Sequence, residues 1–158
     1  MKNTGTLEVT TPSEREIVLT RVFDAPRKLV FDAFTKPELL KRWFGPRGWQ
    51  MVVCDIDLKV GGSWRYLMRG PDGSEWGLHG IYREIVPPDR LVHTQVLDDV
   101  PGESLATTVL VEDRGRTTMK ATLLYPSQEI RDAMLKSGME YGAGASYDRL
   151  DEYLAVVG

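Results

Sequence analysis

The C-terminal segment constrains the fold most, because its apolar side chains recur at helical spacing and on one face only. They are Met139, Ala143, Tyr147, Leu150, Leu154 and Val157. Steps of three and four residues place such side chains along a single stripe of an α-helix. A helix this long and this one-sided has to cover an apolar surface. We therefore predict that it packs on a sheet formed by the strands before it.

Six or seven strands are predicted upstream of that helix. They span residues 15–23, 50–58, 63–69, 76–86, 91–97, 104–111 and 117–125. Short connections between consecutive strands favour an antiparallel meander. Two short helices follow the first strand, one beginning at Pro26 and one after a capping box of Thr35 and Glu38, with Gly45 and Pro46 ending the second. The predicted class is α+β.

A well-specified turn at residues 70–73 (GPDG) sets which strand residues share a face. If Gly73 forms the bulge common in three-residue hairpin loops, Met68 pairs with Trp76. The face of Trp64 and Tyr66 then continues into Tyr82. A loop of two or four residues reverses the parity and presents His79 instead. We favour the first register because it gathers the apolar side chains.

Composition argues against several classes of function. The 158 residues suit one globular domain, which we place at residues 14–158 after a flexible lead-in of residues 1–13. Twenty basic and 23 acidic residues are mixed along the chain. Nucleic-acid binders concentrate basic residues on one face, so no nucleic-acid partner is expected. The short basic pairs at 27–28 and 41–42 are better explained as solvated helix faces.

Cysteine content and apolar runs bear on compartment and metal chemistry. The single cysteine, Cys54, excludes an internal disulfide framework and a cysteine-based zinc site, and we interpret it as a small buried apolar residue. No apolar run approaches the ~20 residues that span a bilayer, and the N-terminus lacks a signal-peptide profile. We expect a cytoplasmic protein without a membrane partner, cofactor or metal.

The order of these elements resembles the helix-grip fold of the START/Bet v 1-like (SRPBCC) superfamily. The chain is most similar to the AHSA1-like family, related to the C-terminal domain of the Hsp90 ATPase activator Aha1. The stretches that carry the resemblance are residues 21–26 (RVFDAP), 30–35 (VFDAFT), 42–46 (RWFGP), 61–62 (GG), 68–73 (MRGPDG), 84–91 (EIVPPDRL) and 138–142 (GMEYG). It implies a sheet curved around the last helix, with a cavity between them that relatives use for hydrophobic molecules. It supplies no shared catalytic residues.

An aromatic and methionine-rich set is the predicted ligand-binding site. Its members are Trp43, Phe44, Trp49, Trp64, Tyr66, Met68, Trp76, Tyr82, His93, Met119, Met139 and Tyr147. Any one of these side chains is explained by ordinary core packing. The collection favours a pocket, because dry cores prefer Leu, Ile and Phe, whereas Trp and Tyr carry polar tips that need partners.

Two features leave alternatives open. Gly138, Gly142 and Gly144 interrupt the C-terminal helical stripe; they either break the helix and let the sheet approach closely, or leave volume for a ligand. His93 with Gln95, or His79 in the other register, is either a polar contact or general base within the pocket, or an ordinary polar residue with satisfied hydrogen bonds.

Three functions are compatible with these patterns. The leading hypothesis is a non-enzymatic domain that binds a small hydrophobic or aromatic molecule, such as a lipid, polyketide or flavonoid. The second is a cyclase- or hydrolase-like enzyme that uses His93, His79 or a tyrosine hydroxyl to carry protons. The third is a stand-alone partner of an Hsp90. It ranks lowest, since 158 residues leave no room for the activator's N-terminal domain. A homodimer formed through sheet or helix surfaces is also compatible with the sequence.

Overall fold

A computed structural model describes residues 7–98, 100 and 102–157. Residues 1–6 of the expected lead-in, two residues of the polar loop (Asp99 and Pro101) and Gly158 lie outside this part of the chain. Within the described ranges, every helix is too short or too polar to cross a membrane.

Eight strands and four helices follow one another in the described part of the chain. They are β1 (Glu8–Thr10), β2 (Glu16–Phe23), α1 (Arg27–Thr35), α2 (Pro37–Trp43), β3 (Gln50–Ile56), β4 (Ser63–Arg69), β5 (Glu75–Val86), β6 (Arg90–Leu97), β7 (Ser104–Asp113), β8 (Arg116–Leu124), α3 (Gln128–Lys136) and α4 (Met139–Val157). The predicted α+β helix-grip architecture is confirmed: a curved antiparallel sheet faces a long C-terminal helix.

All strands belong to one antiparallel sheet in the order β1-β2-β8-β7-β6-β5-β4-β3. The sequence predicted six or seven strands, and the additional one is β1. It lies within the segment expected as a loose lead-in and pairs with β2, with Val9 opposite Leu19. Three residues are too few for an alternating pattern to be recognised, so this strand depends on its neighbour.

The β4–β5 hairpin has the register that the turn predicted. Met68 lies opposite Trp76, and Tyr66 lies opposite Leu78. Gly73 has a φ of +85°, a left-handed conformation that glycine adopts without steric cost. The three-residue loop therefore places the aromatic side chains of both strands on the concave face of the sheet.

Local chemistry sets the helix boundaries, with two departures from expectation. The first is that α1 begins one residue after Pro26, which is its N-cap. Pro37 occupies the first turn of α2, as predicted. The predicted capping box is wrong, because the Thr35 hydroxyl donates to the Phe31 carbonyl oxygen (2.8 Å) and Lys36 is the N-cap. At α3, the Ser127 hydroxyl accepts a hydrogen bond from the backbone N–H of Ile130 (3.1 Å).

The C-terminal half of α4 is held firmly by its surroundings. Leu150 and Leu154 are buried in the main core. Arg149 donates to the carbonyl oxygens of Arg42 (2.9 Å) and Gly45 (2.8 Å), at the end of α2 and in the following loop. The Ser146 hydroxyl accepts from the backbone N–H of Gly45 (2.8 Å). These contacts fix one half of α4 beside α2, whereas its first two turns lie over the sheet.

Candidate functional site

A cavity of about 590 Å³ lies between the concave face of the sheet and the helices. Its floor comes from β4 to β8, and its sides come from α2, the loop after α2, α3 and the first half of α4. Among its lining side chains, Val100 and Tyr141 are strongly exposed. The cavity therefore meets solvent on the side of the β6–β7 loop and the start of α4.

One wall of the cavity is a connected series of rings. Tyr147 of α4 stacks on Trp43 (centroids 6.1 Å apart), which meets Phe44 edge to face at 5.7 Å. Phe44 meets Tyr66 edge to face at 5.3 Å, and Tyr66 lies 4.6 Å from Trp64. Edge-to-face and offset contacts of this kind stabilise ring clusters beyond simple burial. The wall thus runs from α4 to the sheet without a break.

Two branches extend this series. From Phe44 it continues to Trp76, with ring centroids 6.4 Å apart, and from Trp76 to Trp49, with centroids 6.3 Å apart. From Trp64 it continues to His93 (5.0 Å), whose ring also lies 6.0 Å from that of Tyr82. Packed rings hold one another in place, so the wall is preformed and needs little ordering when a ligand arrives.

The glycines of α4 face empty space. A Cβ atom added at Gly142 meets no other atom within 4 Å, and Gly142 lines the cavity. An added Cβ at Gly144 would meet Leu7 at 3.9 Å, an ordinary van der Waals contact, and Gly144 does not line the cavity. Of the two interpretations left open, close approach of the sheet is therefore wrong for Gly142, where the lack of a side chain leaves volume. Gly138 has a φ of +87° and separates α3 from α4.

His93 is the distinctive polar group of the floor. Its Nδ1 lies 3.0 Å from the backbone oxygen of Thr94. A carbonyl oxygen only accepts, so Nδ1 carries the ring proton and Nε2 keeps a free lone pair. Burial lowers the pKa of His93, which keeps the ring neutral near pH 7. The residue is consequently able to accept a hydrogen bond or a proton within the cavity.

The tyrosines around this histidine keep their protons. Burial raises the pKa of Tyr66 well above its usual range, and it raises the pKa of Tyr82 in the same direction. Burial also raises the pKa of Tyr125 and of Tyr147 to about 12. These hydroxyls therefore offer protons for hydrogen bonds and carry no charge at neutral pH.

Other chemistry finds little support in the described residues. They contain no cluster of three or more His, Cys, Asp or Glu side chains arranged to hold a metal ion. Burial raises the pKa of Cys54 to about 11, so the thiol stays protonated and is a poor nucleophile. No Asp, Glu, Lys or Arg of this part of the chain lines the cavity.

Comparison with known protein families identifies the family of this chain. The family model described as "Activator of Hsp90 ATPase homolog 1-like protein" (AHSA1) matches residues 24–155. The chain belongs to this AHSA1-like family. The resemblance inferred from the sequence is thereby confirmed. Among curated proteins, no sequence matches the chain.

Solved structures of similar chains share the AHSA1-like architecture. A protein from Rhodobacter sphaeroides has 32% identity and a TM-score of 0.89, with 96% of this chain and 99% of that chain covered. A protein from Nitrosomonas europaea has 27% identity and a TM-score of 0.82, covering 92% and 97%. One from Arthrobacter aurescens has 26% identity and a TM-score of 0.84, covering 97% and 92%.

Ten of the twelve residues predicted for the site line the cavity of this AHSA1-like domain. They are Trp43, Phe44, Trp49, Trp64, Tyr66, Trp76, Tyr82, His93, Met139 and Tyr147. The structure brings these side chains together around one volume.

Met68 and Met119 do not line the cavity, and both side chains are completely buried. Met68 lies under the loop after α2, where a Cβ atom at Gly45 would come within 2.5 Å of its methyl group. Met119 lies on β8 two residues from Thr117, whose hydroxyl donates to Ala25 just before α1 (2.7 Å). Both methionines are core residues because helices or loops cover their part of the sheet.

His79 faces away from the cavity. Its Nδ1 lies 3.0 Å from an oxygen of Asp98, which also accepts a hydrogen bond of 2.7 Å from Arg65. These three side chains lie on the convex face of the sheet. The register predicted from the turn accounts for this placement.

Several lining residues were missed by sequence reasoning. Small side chains of the floor, Ala106 and Thr108 on β7 and Ala121 on β8, leave the space that the larger rings surround. Strand alternation places them on the concave face, but nothing in their identity separates a cavity floor from a packed core. Ile130 and Met134 of α3 also contribute. Their spacing of four residues fits one face of a helix, but spacing alone does not show that this face lies over a cavity.

Proposed function

We propose that this chain binds a small, mostly apolar molecule of the lipid, polyketide or flavonoid type in the cavity between the sheet and α4. The carrying observation is an aromatic-lined cavity of about 590 Å³. This lies within the range of about 300–1,000 Å³ found for small-molecule sites. The lining also has the expected composition, with many apolar groups and a few polar ones.

Burial of apolar surface favours binding in this cavity. A ligand that fills an apolar cavity removes the aromatic wall and its own surface from water. This burial contributes a favourable free energy of about 25 cal/mol per Å² of apolar surface. Because neighbouring rings already hold Trp64 and Tyr66, binding orders few side chains. Gly142 and Ala143 leave room beside α4 that a larger residue would occupy.

A ligand panel with two matched variants tests this proposal. Lipids, polyketides and flavonoids are screened by thermal shift and native mass spectrometry against the wild type. Ala143→Trp places an indole on the cavity face of α4, whereas Ala155→Trp places one on an exposed position of the same helix. We expect binding to the wild type and to Ala155→Trp, with a loss of at least tenfold in affinity for Ala143→Trp.

Two results would contradict the proposed binding site or function. Compounds that bind both tryptophan variants alike occupy some other surface, which contradicts the proposed site. A panel in which no compound changes the melting temperature or forms a stoichiometric complex argues against a small-molecule function of this type. Circular dichroism of both variants confirms that each keeps the fold.

A further inference from the structure

The two histidines of the chain lie on opposite faces of the sheet, and only one of them reaches the cavity. His93 lines it, whereas His79 pairs with Asp98 on the convex face. The bond from Nδ1 of His93 to the Thr94 oxygen (3.0 Å) fixes the tautomer. The ring nitrogen left without a proton, Nε2, is then an acceptor on a side chain that lines a largely apolar cavity.

The position of the His93 ring is set by its neighbours. Trp64 meets it edge to face with centroids 5.0 Å apart and an interplanar angle of 78°. Tyr82 meets it at 6.0 Å with the same interplanar angle. Both neighbours also line the cavity, so a ligand that touches the floor of β4 to β6 lies beside this ring.

Charge narrows the class of ligand. The described lining has no Lys or Arg to pair with an anionic head group, and no Asp or Glu to pair with a cation. An unpaired charge in an apolar site has a high desolvation cost. A free fatty acid or an amine is therefore disfavoured, whereas a neutral molecule that carries a hydroxyl is compatible with the site.

We propose that the ligand is a neutral aromatic molecule whose hydroxyl group donates a hydrogen bond to Nε2 of His93. The inference rests on the proposed function and identifies the chemistry of the same site. Tyr66 and Tyr82 keep their hydroxyl protons and provide donors for a second oxygen of the ligand, such as a carbonyl. A phenol, or the enol form of a ketone, meets both requirements.

Paired probes separate the hydrogen bond from simple apolar contact. 2-Naphthol and 2-methoxynaphthalene share a ring system, as do 4-phenylphenol and 4-methoxybiphenyl, but the methyl ethers have no proton to donate. Affinities are measured by calorimetry for the wild type, for His93→Phe and for His79→Phe. Phenylalanine keeps a flat ring beside Trp64, and the second variant removes the histidine on the convex face.

The expected result is a preference of the wild type for each phenol over its ether by about three- to tenfold, the range of one net neutral hydrogen bond. His93→Phe loses that preference and binds the ethers as before, and His79→Phe retains it. Equal affinities of phenol and ether in the wild type overturn the assignment of His93 but leave cavity binding in place. Failure of all four probes to bind overturns the assignment of a hydroxylated aromatic ligand, whereas binding in the cavity is then decided by the ligand panel.

A measurement on the unmodified side chain covers the case in which His93→Phe does not fold. In ¹⁵N-labelled protein, long-range proton–nitrogen correlations report each histidine nitrogen. We expect Nε2 of His93 to appear as the unprotonated nitrogen and to shift on addition of 2-naphthol but not of 2-methoxynaphthalene. A proton on Nε2, or no shift with either probe, contradicts the proposal.

Discussion

Arg21 on β2 is almost completely buried, and its guanidinium donates a hydrogen bond of 2.7 Å to Asp151 on α4. A second bond from the same group reaches Asp148 at 2.8 Å. The two carboxylates are three residues apart and so lie on one face of the helix. This pairing connects the sheet to the C-terminal half of α4.

Replacing this arginine is expected to destabilise the fold. Arg21→Met removes the partner of Asp151, a carboxylate whose pKa is raised chiefly by burial and lowered in part by Arg21. Loss of one partner of a buried pair costs about 3–5 kcal/mol. Because Asp148 is largely exposed, we expect Arg21→Met to lower the free energy of unfolding by about 2–4 kcal/mol. Urea unfolding of the wild type and the variant measures this difference.

The matched control is Arg47→Met. Arg47 pairs with Glu152 on the same helix, but both side chains are exposed. Solvent screens exposed pairs, so we expect this one to contribute little to the free energy of unfolding. A loss for Arg47→Met as large as that for Arg21→Met would contradict the role given to the buried pair.

Two glycine substitutions near the start of α4 are expected to have opposite effects. Gly142→Ala replaces a helical glycine at a site where the new Cβ meets nothing, which stabilises the helix by up to about 1 kcal/mol. Gly138→Ala forces a left-handed φ of +87° on alanine and costs about 1–2 kcal/mol. Thermal unfolding of both variants measures this difference. Stabilisation by both substitutions would contradict the left-handed backbone conformation of Gly138.

Protonation of His93 is expected to oppose folding. Because its pKa is lower in the folded chain than the usual value of about 6.5, the unfolded chain binds more protons in the window just below that value. The contribution of His93 to stability is full above pH 6.5 and falls as the pH drops towards the folded pKa. The other ionisable side chains that line the described cavity are tyrosines, which are ordinarily neutral at this pH.

An NMR titration of the histidine ring protons checks the direction of this shift. His93→Gln leaves only the resonances of His79 and so assigns both residues. A midpoint for His93 at or above 6.5 would contradict its burial in an apolar floor.

Cys54 is expected to react slowly with thiol reagents. A pKa of about 11 instead of about 9 leaves roughly a hundredfold less thiolate at pH 8. The rate of alkylation by iodoacetamide should therefore be lower by a similar factor in the folded protein than in guanidinium chloride. Equal rates in the two conditions would show that the thiol is not shielded by its surroundings.

The fold and most of the wall could be predicted because local rules determine them. Pro71 and Gly73 set the hairpin loop, the loop sets the register of Met68 and Trp76, and the register orients every ring on both strands. The three-residue strand β1 could not be found this way. It carries too few residues for a periodic pattern and is held by pairing with β2.

The sequence could not predict which side chains of the concave face reach the cavity and which are covered by other elements. Alternation places Met68, Met119 and His93 on the same concave face, yet only His93 reaches the cavity. What separates them is the element above each one: the loop after α2 covers Met68, and the region of α1 adjoins the end of β8 that carries Met119. Such contacts between distant segments leave no signal in the spacing of apolar residues.

A crystal structure of the wild type with the tightest-binding compound of the ligand panel would locate the binding site. We expect electron density for the compound between the sheet floor and the first half of α4, in contact with Tyr66 and beside Gly142. Density on the convex face of the sheet, or a cavity closed by the protein's own side chains, would contradict this expectation.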